Sequence, residues 1–74
     1  MAKKGGSGVY RVTEVIGTSP NSWEDAARNA VKTAGGTLRD LRIAEVTKLD
    51  VRIDDDGRIA QFRARLSLSF KYEP

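Results

Sequence analysis

The chain has no cysteine and no histidine. The first absence excludes disulfide staples and cysteine nucleophiles. The second removes the commonest general base and most zinc and transition-metal sites. No apolar run approaches the ~20 residues that a membrane-spanning helix needs. Nor is there a large excess of one charge: 13 Lys and Arg stand against 10 Asp and Glu, a net +3. The basic residues are spread along the chain, the pattern of a solvated surface rather than of a nucleic-acid footprint. Lack of cysteine fits a reducing compartment, so the cytoplasm is the expected location. Met1 to Gly8 carries Lys3, Lys4, Gly5 and Gly6 without the apolar stretch of a signal peptide. A flexible tail over 1–8 and a single domain over 9–74 are expected.

A core in 74 residues supplies no more than ~3–5 kcal/mol, so chains this short add disulfides, metals or other subunits. With the first two disfavoured by composition, oligomerisation remains.

Val9 to Ile16 reads as a strand, rich in β-branched and aromatic residues. Gly17-Thr18-Ser19-Pro20-Asn21 is expected to stop it. A helix follows, capped by Asn21 or Ser22, with Glu24 and Asp25 in its first turn. Trp23, Ala26, Ala27, Ala30, Val31 and Ala34 form one apolar stripe, which predicts that Trp23 is a core anchor buried with Phe62 between helix and sheet. Gly35-Gly36 weakens or ends the helix, with a last turn to Thr37-Leu38 possible.

Leu41 to Ile53 and Arg58 to Tyr72 read as two long strands joined by Asp54-Asp55-Asp56-Gly57, an Asp-Gly hairpin signal. In the last strand Ala60, Phe62, Ala64, Leu66, Leu68, Phe70 and Tyr72 alternate with Gln61, Arg63, Arg65, Ser67, Ser69 and Lys71. The fold class is therefore α+β, in the order β-α-β-β. Fifteen strand residues span ~50 Å at ~3.3 Å each, whereas a helix of about 14 residues spans ~21 Å. One helix cannot cover the hairpin's apolar face, so the overhang must meet other subunits. An ideal register pairing Ile53 with Arg58 sets Val51 beside Ala60, Leu49 beside Phe62 and Ile43 beside Leu68. It leaves Glu45 opposite Leu66 on the apolar face. Either a bulge flips the outer half of the second strand or Glu45 forms an ion pair at a subunit contact.

Three motifs fail on inspection. Aligning Gly57 with the sixth position of an EF-hand loop puts Arg52 and Arg63 where acidic ligands are required. Gly5-Gly6-Ser7-Gly8 follows no strand and leads to no Gly-Lys-Ser/Thr, so it is no phosphate loop. Arg63, Arg65 and Lys71 share a face with Lys48 on the neighbouring strand, the basis of an alternative single-stranded nucleic-acid reading. Without interleaved aromatics on that face, stacking of bases is not supported, and nucleic acid is not the expected partner.

The order of pieces resembles the dodecin family. It is carried by a strand running into Ile16-Gly17-Thr18-Ser19, an alanine-rich helix, Ile43-Ala44-Glu45-Val46, and a long hairpin ending in Leu68-Ser69-Phe70. The resemblance covers Tyr10 to Tyr72. It implies a three-stranded antiparallel sheet wrapped around one helix, and twelve subunits in a hollow sphere of tetrahedral symmetry. It further implies ligand storage without catalysis. Family members stack flavins in pairs between aromatic side chains at two-fold interfaces.

At the flavin-stacking position, where the family's binders carry tryptophan, this chain has Ile43, which offers no π-face. Where they carry a glutamine on the last strand, it has Arg63. The flavin-pocket positions Ile43, Glu45, Arg63 and Arg65 are thus expected to form a degraded flavin site. The alternative is that FMN or riboflavin binding is retained, with Arg63 clamping a phosphate. The Ser22-Trp23-Glu24 helix start and Arg63 resemble a flavin-free branch of the family for which calcium is the suggested ligand. Calcium or magnesium would take oxygen ligands from Glu14, Glu45 and Asp50, multiplied by a symmetry axis. The competing reading of these three carboxylates is pairing with Arg11, Arg63 or Arg65.

Overall fold

The computed structural model describes residues 8–37 and 40–72. The expected tail therefore lies outside the described residues, apart from Gly8. Four elements follow one another: β1 (Val9–Ser19), α1 (Trp23–Thr37), β2 (Leu41–Ile53) and β3 (Ile59–Tyr72). The strands form one antiparallel sheet in the order β1-β3-β2. This is the expected β-α-β-β arrangement of α+β class. The most regularly alternating strand, β3, takes the centre, where both of its edges are paired. No described helix is long and apolar enough to cross a membrane.

Helix and sheet meet through small residues. Ala26, Ala30 and Ala34 pack on Ala64, Leu66, Leu68 and Phe70, with Val15, Ala27, Val31 and Leu41 at the margin. The tightest approach is at Gly17, where β1 runs beneath α1. A Cβ there would collide with the carbonyl oxygen of Ala26 and stand 2.8 Å from the Ala30 Cβ. This is why a glycine that reads as a strand terminator lies inside the strand: β1 continues to Ser19 because Gly17 lets the helix sit directly on it. Ser19 is buried, and its hydroxyl donates to Asp25 Oδ2 at 2.7 Å and accepts from the amides of Asn21 and Ser22. Of the two candidate caps it is Ser22 that acts, its Oγ accepting from the Asp25 amide at 3.0 Å. The helix runs through Gly35-Gly36 to Thr37; Leu38 lies outside the described residues.

The hairpin register differs from the ideal one. Ile53 pairs with Ile59, Val51 with Phe62, Leu49 with Ala64 and Ile43 with Ser69. The cause begins at the turn. Asp54 Oδ1 accepts from the amides of Asp56 and Arg58, and the Asp54 amide donates to the Arg58 carbonyl. Gly57 takes φ +80°. These bonds close a three-residue loop with glycine in the left-handed region, moving the first pair to Ile53–Ile59. An irregularity between Arg52 and Ile53 then sets Val51 opposite Phe62 and Lys48 opposite Arg65, and a bulge between Val46 and Lys48 shifts the ladder by one again. Of the two explanations for Glu45, the bulge is the one found: Glu45 pairs with Ser67, on the face away from the helix.

Trp23 is not the buried anchor the helical stripe suggested. It is 40% exposed in the single chain and Phe62 is half-buried. As the first helical residue it lies at the rim of the core. Its Nε1 donates to the Asp50 main-chain oxygen at 2.9 Å, and its ring meets Phe62 edge-on at 5.2 Å. An edge strand such as β2 leaves carbonyls unpaired, and the indole takes one of them.

Candidate ligand-binding face of the sheet

The residues singled out in the sequence converge on the sheet face turned away from α1. Antiparallel pairing arranges that face in cross-strand rows. Thr18, Arg63 and Asp50 form one; Ile16, Arg65 and Lys48 the next; then Glu14, Ser67 and Glu45; then Val12, Ser69 and Ile43. Same-face rows follow at about 6.6–6.8 Å, two residues of strand rise. Ile43, Glu45, Arg63, Arg65, Glu14 and Asp50 thus share one surface.

Their states differ. Ile43 is 54% exposed between Ser69 and solvent, where it gives apolar contact but no ring. Arg63 holds Asp50 by two hydrogen bonds, Nε to Oδ1 at 2.7 Å and Nη2 to Oδ2 at 3.2 Å. The hydrogen bond from Arg63 holds the Asp50 carboxyl below the usual aspartate range, and Asp50 in turn raises the guanidinium. Asp50 and Arg63 thus pair in the single chain, one of the pairings weighed against metal binding. Glu14 and Glu45 flank the same residue, Ser67. Their backbones lie two strand spacings apart, about 9–10 Å, and neither makes an ion pair among the described residues. No group of three or more acidic residues among the described ones is close enough to hold a metal within one chain. An ion on this face would have to collect ligands from more than one copy.

Two features escaped the sequence reading. Lys48 stands directly opposite Arg65, in the register that runs from Arg52 up to the bulge. The bulge itself leaves a trace in the sequence as a change of parity, with apolar residues at Ala44 and Val46 but then at Leu49 and Val51. Tyr10 is 49% exposed and stands opposite Lys71 on this same face, so the face is not devoid of aromatics as β3 alone suggested. Elsewhere, a groove of about 500 Å³ runs between α1 and β1 past Ile16, Thr18, Asn29 and Thr33. The Asn29 amide there is spent on the Thr18 carbonyl.

The dodecin family model matches residues 9–73. The chain is 46% identical over 66 residues to calcium dodecin of Mycobacterium tuberculosis, covering 89% of this chain and 92% of the relative. Its structure resembles that of dodecin from Streptomyces coelicolor, with a TM-score of 0.85, 45% identity, and coverage of 93% and 97% of the two chains. It also resembles the crystal structure of the M. tuberculosis calcium dodecin, described as calcium-chelating with a novel calcium-binding site. There the TM-score is 0.78, with 45% identity and coverage of 89% and 93%.

Proposed function

This chain belongs to the dodecin family, and on that premise we propose that it forms a hollow homododecamer of tetrahedral symmetry that holds a small ligand or ion without transforming it. The cytoplasm is its proposed location, and neither a membrane nor nucleic acid is its partner. The observation that carries the reading is the apolar surface that one chain leaves open. Val9, Val12, Ile16, Ile43, Val46, Leu49, Ile53 and Ile59 are each about half exposed, from 46% to 58%. They lie on both faces of the sheet; soluble monomers seldom leave so much apolar surface open, and neighbouring copies are the natural cover.

The proposed ligand is calcium, with magnesium as the related hard cation. Likeness to a calcium dodecin supports it. Glu14 and Glu45 are the carboxylates available, with Asp50 withheld by Arg63. The flavin site is proposed to be closed. Ile43 provides no stacking surface, and Arg63 is engaged, which also disfavours the FMN-phosphate clamp. Without histidine or cysteine, the chain is read as a binding protein rather than an enzyme.

Native mass spectrometry of protein purified without added ligand tests the assembly. Twelve subunits are expected; a monomer or dimer at micromolar concentration refutes the shell. Calorimetric titration tests the ion: calcium should bind, and Glu45→Gln or Glu14→Gln should weaken it. Unchanged affinity in both variants removes these residues from the site. Riboflavin should bind at least about tenfold more weakly than to a tryptophan-bearing relative, since one lost stacking contact is worth ~1–3 kcal/mol. Restored binding in Ile43→Trp with Arg63→Gln would identify the two positions that close the site.

A further inference from the structure

We infer that the Lys48–Arg65 pair on the outer sheet face is a binding site for a phosphate monoester. The two cations are direct cross-strand partners, an arrangement that costs stability because like charges oppose each other at short range. It is also built deliberately. The hairpin register places Lys48 on this face, the Val46/Lys48 bulge brings Glu45 to the same side, and the Thr47 hydroxyl donates to the Arg65 carbonyl at 3.2 Å, pinning the strand there. With the register found on the outer side of the bulge, Lys48 would instead have turned toward the helix.

The neighbouring charges single out this pair. Arg63 is neutralised by Asp50, and Arg52 gives its Nε to Gln61. Lys48 and Arg65 make no ion pair among the described residues. Their field is felt one row away: after the Arg63 hydrogen bond and the Arg63 charge, both also favour the ionised form of Asp50. Beside Arg65 lies a shallow concavity of about 380 Å³, lined by Glu14, Val15 and Ile16 as well as Arg65 itself. A dianionic phosphate over the pair accepts from an ammonium on one strand and a guanidinium on the next, and relieves their repulsion. In the adjacent row, whose Glu14 also borders the concavity, Glu14, Ser67 and Glu45 are acceptors. They repel a second anion and receive hydrogen bonds from hydroxyl groups. The chemical class is therefore a compact, hydroxyl-bearing organic monophosphate, neither a polyanion nor a flat ring system.

This inference rests on the reading of the chain as a ligand-holding oligomer but fails separately from it, since subunit count is measured independently of phosphate binding. The test is calorimetric titration of the intact oligomer with ribose 5-phosphate at low salt, with ribose as the uncharged control. Ribose 5-phosphate should bind and ribose should not. Lys48→Gln and Arg65→Gln should each weaken binding by about tenfold or more, the worth of one charge-assisted hydrogen bond. Lys48→Arg should stay within about threefold of the parent. Arg52→Gln removes an equal charge two rows away and should also stay within about threefold, as expected for a screened interaction at that distance. Absence of binding overturns the inference. So does an equal loss in Arg52→Gln, which would mean diffuse attraction without a site. If Lys48→Gln and Arg65→Gln break the oligomer in native mass spectrometry, the pair serves a subunit contact and the inference falls.

Discussion

Replacing Gly17 by alanine tests how closely helix and sheet are fitted. The added methyl has no space: its carbon would overlap the Ala26 carbonyl oxygen and lie 2.8 Å from the Ala30 Cβ. The first of these is backbone, in the first turn of α1, and cannot rotate away. Accommodation requires α1 to lift from β1, which loosens the contacts of Ala26 and Ala30 with Ala64 and Leu66. Overpacking of this kind typically costs ~1–3 kcal/mol, and a clash with rigid backbone belongs at ~3 kcal/mol. For a domain of this size each kcal/mol moves Tm by roughly 4–8 °C, so a fall of about 12–24 °C is expected. The assay is thermal unfolding followed by circular dichroism at a fixed protomer concentration, because an oligomer's Tm depends on it. A double-mutant cycle sharpens the result. Ala30→Gly removes the 2.8 Å neighbour but leaves the Ala26 carbonyl, so it should recover less than about 1 kcal/mol of the Gly17→Ala cost. A Tm within about 3 °C of the parent for Gly17→Ala would show that α1 is free to move and that Gly17 is not a packing requirement.

Ser19→Ala strips the buried hydroxyl from Asp25 and two amides and should cost ~1–3 kcal/mol; urea unfolding with unchanged slope but an unchanged midpoint as well would contradict that. Trp23→Phe keeps the ring but loses the bond to the Asp50 carbonyl, for an expected ~0.5–1.5 kcal/mol. A loss near the ~3–5 kcal/mol of a buried aromatic truncation would instead mean that assembly covers Trp23. Asp50 has a lowered pKa, so its pairing with Arg63 stabilises the fold above the ordinary aspartate value of about 4. That contribution is lost as pH falls below about 4 through the folded value. Asp50→Asn should therefore flatten the stability profile at the acid end, and an identical profile in parent and variant would exclude this pair as a source of pH dependence.

The element order was legible from periodicity because each element's pattern is local. The alternation of β3 from Ala64 to Phe70 and the helical stripe of Ala26, Ala30 and Ala34 both place their residues in the core as found, while Ala60 and Phe62 at the hairpin end stay half-buried. The expectation of other subunits came from strand and helix lengths alone. The set of polar residues on the outer face was readable for β3, since parity fixes the side on which Arg63 and Arg65 lie. What remained open was everything that depends on the partner strand. The one-residue shift at Thr47 costs little locally but moves every residue beyond it to the opposite face. It decides that Glu45 faces outward, on the same side as Lys48 and Asp50, whose pairing with Arg65 and Arg63 is set on the turn side by the hairpin loop and the irregularity between Arg52 and Ile53. Likewise Gly17 and Trp23 were misread because their roles are set by what passes over them. Gly17 reads as a break until a helix backbone is laid on it, and Trp23 reads as core until the helix start is placed at the rim, beside an edge carbonyl. Sequence by itself determined which segments become strands or helix and which residues must leave water. Tertiary structure alone decided which side chains meet across the sheet, because a cross-strand contact is a property of register, and register is fixed by the turn and the bulge acting on the whole hairpin together.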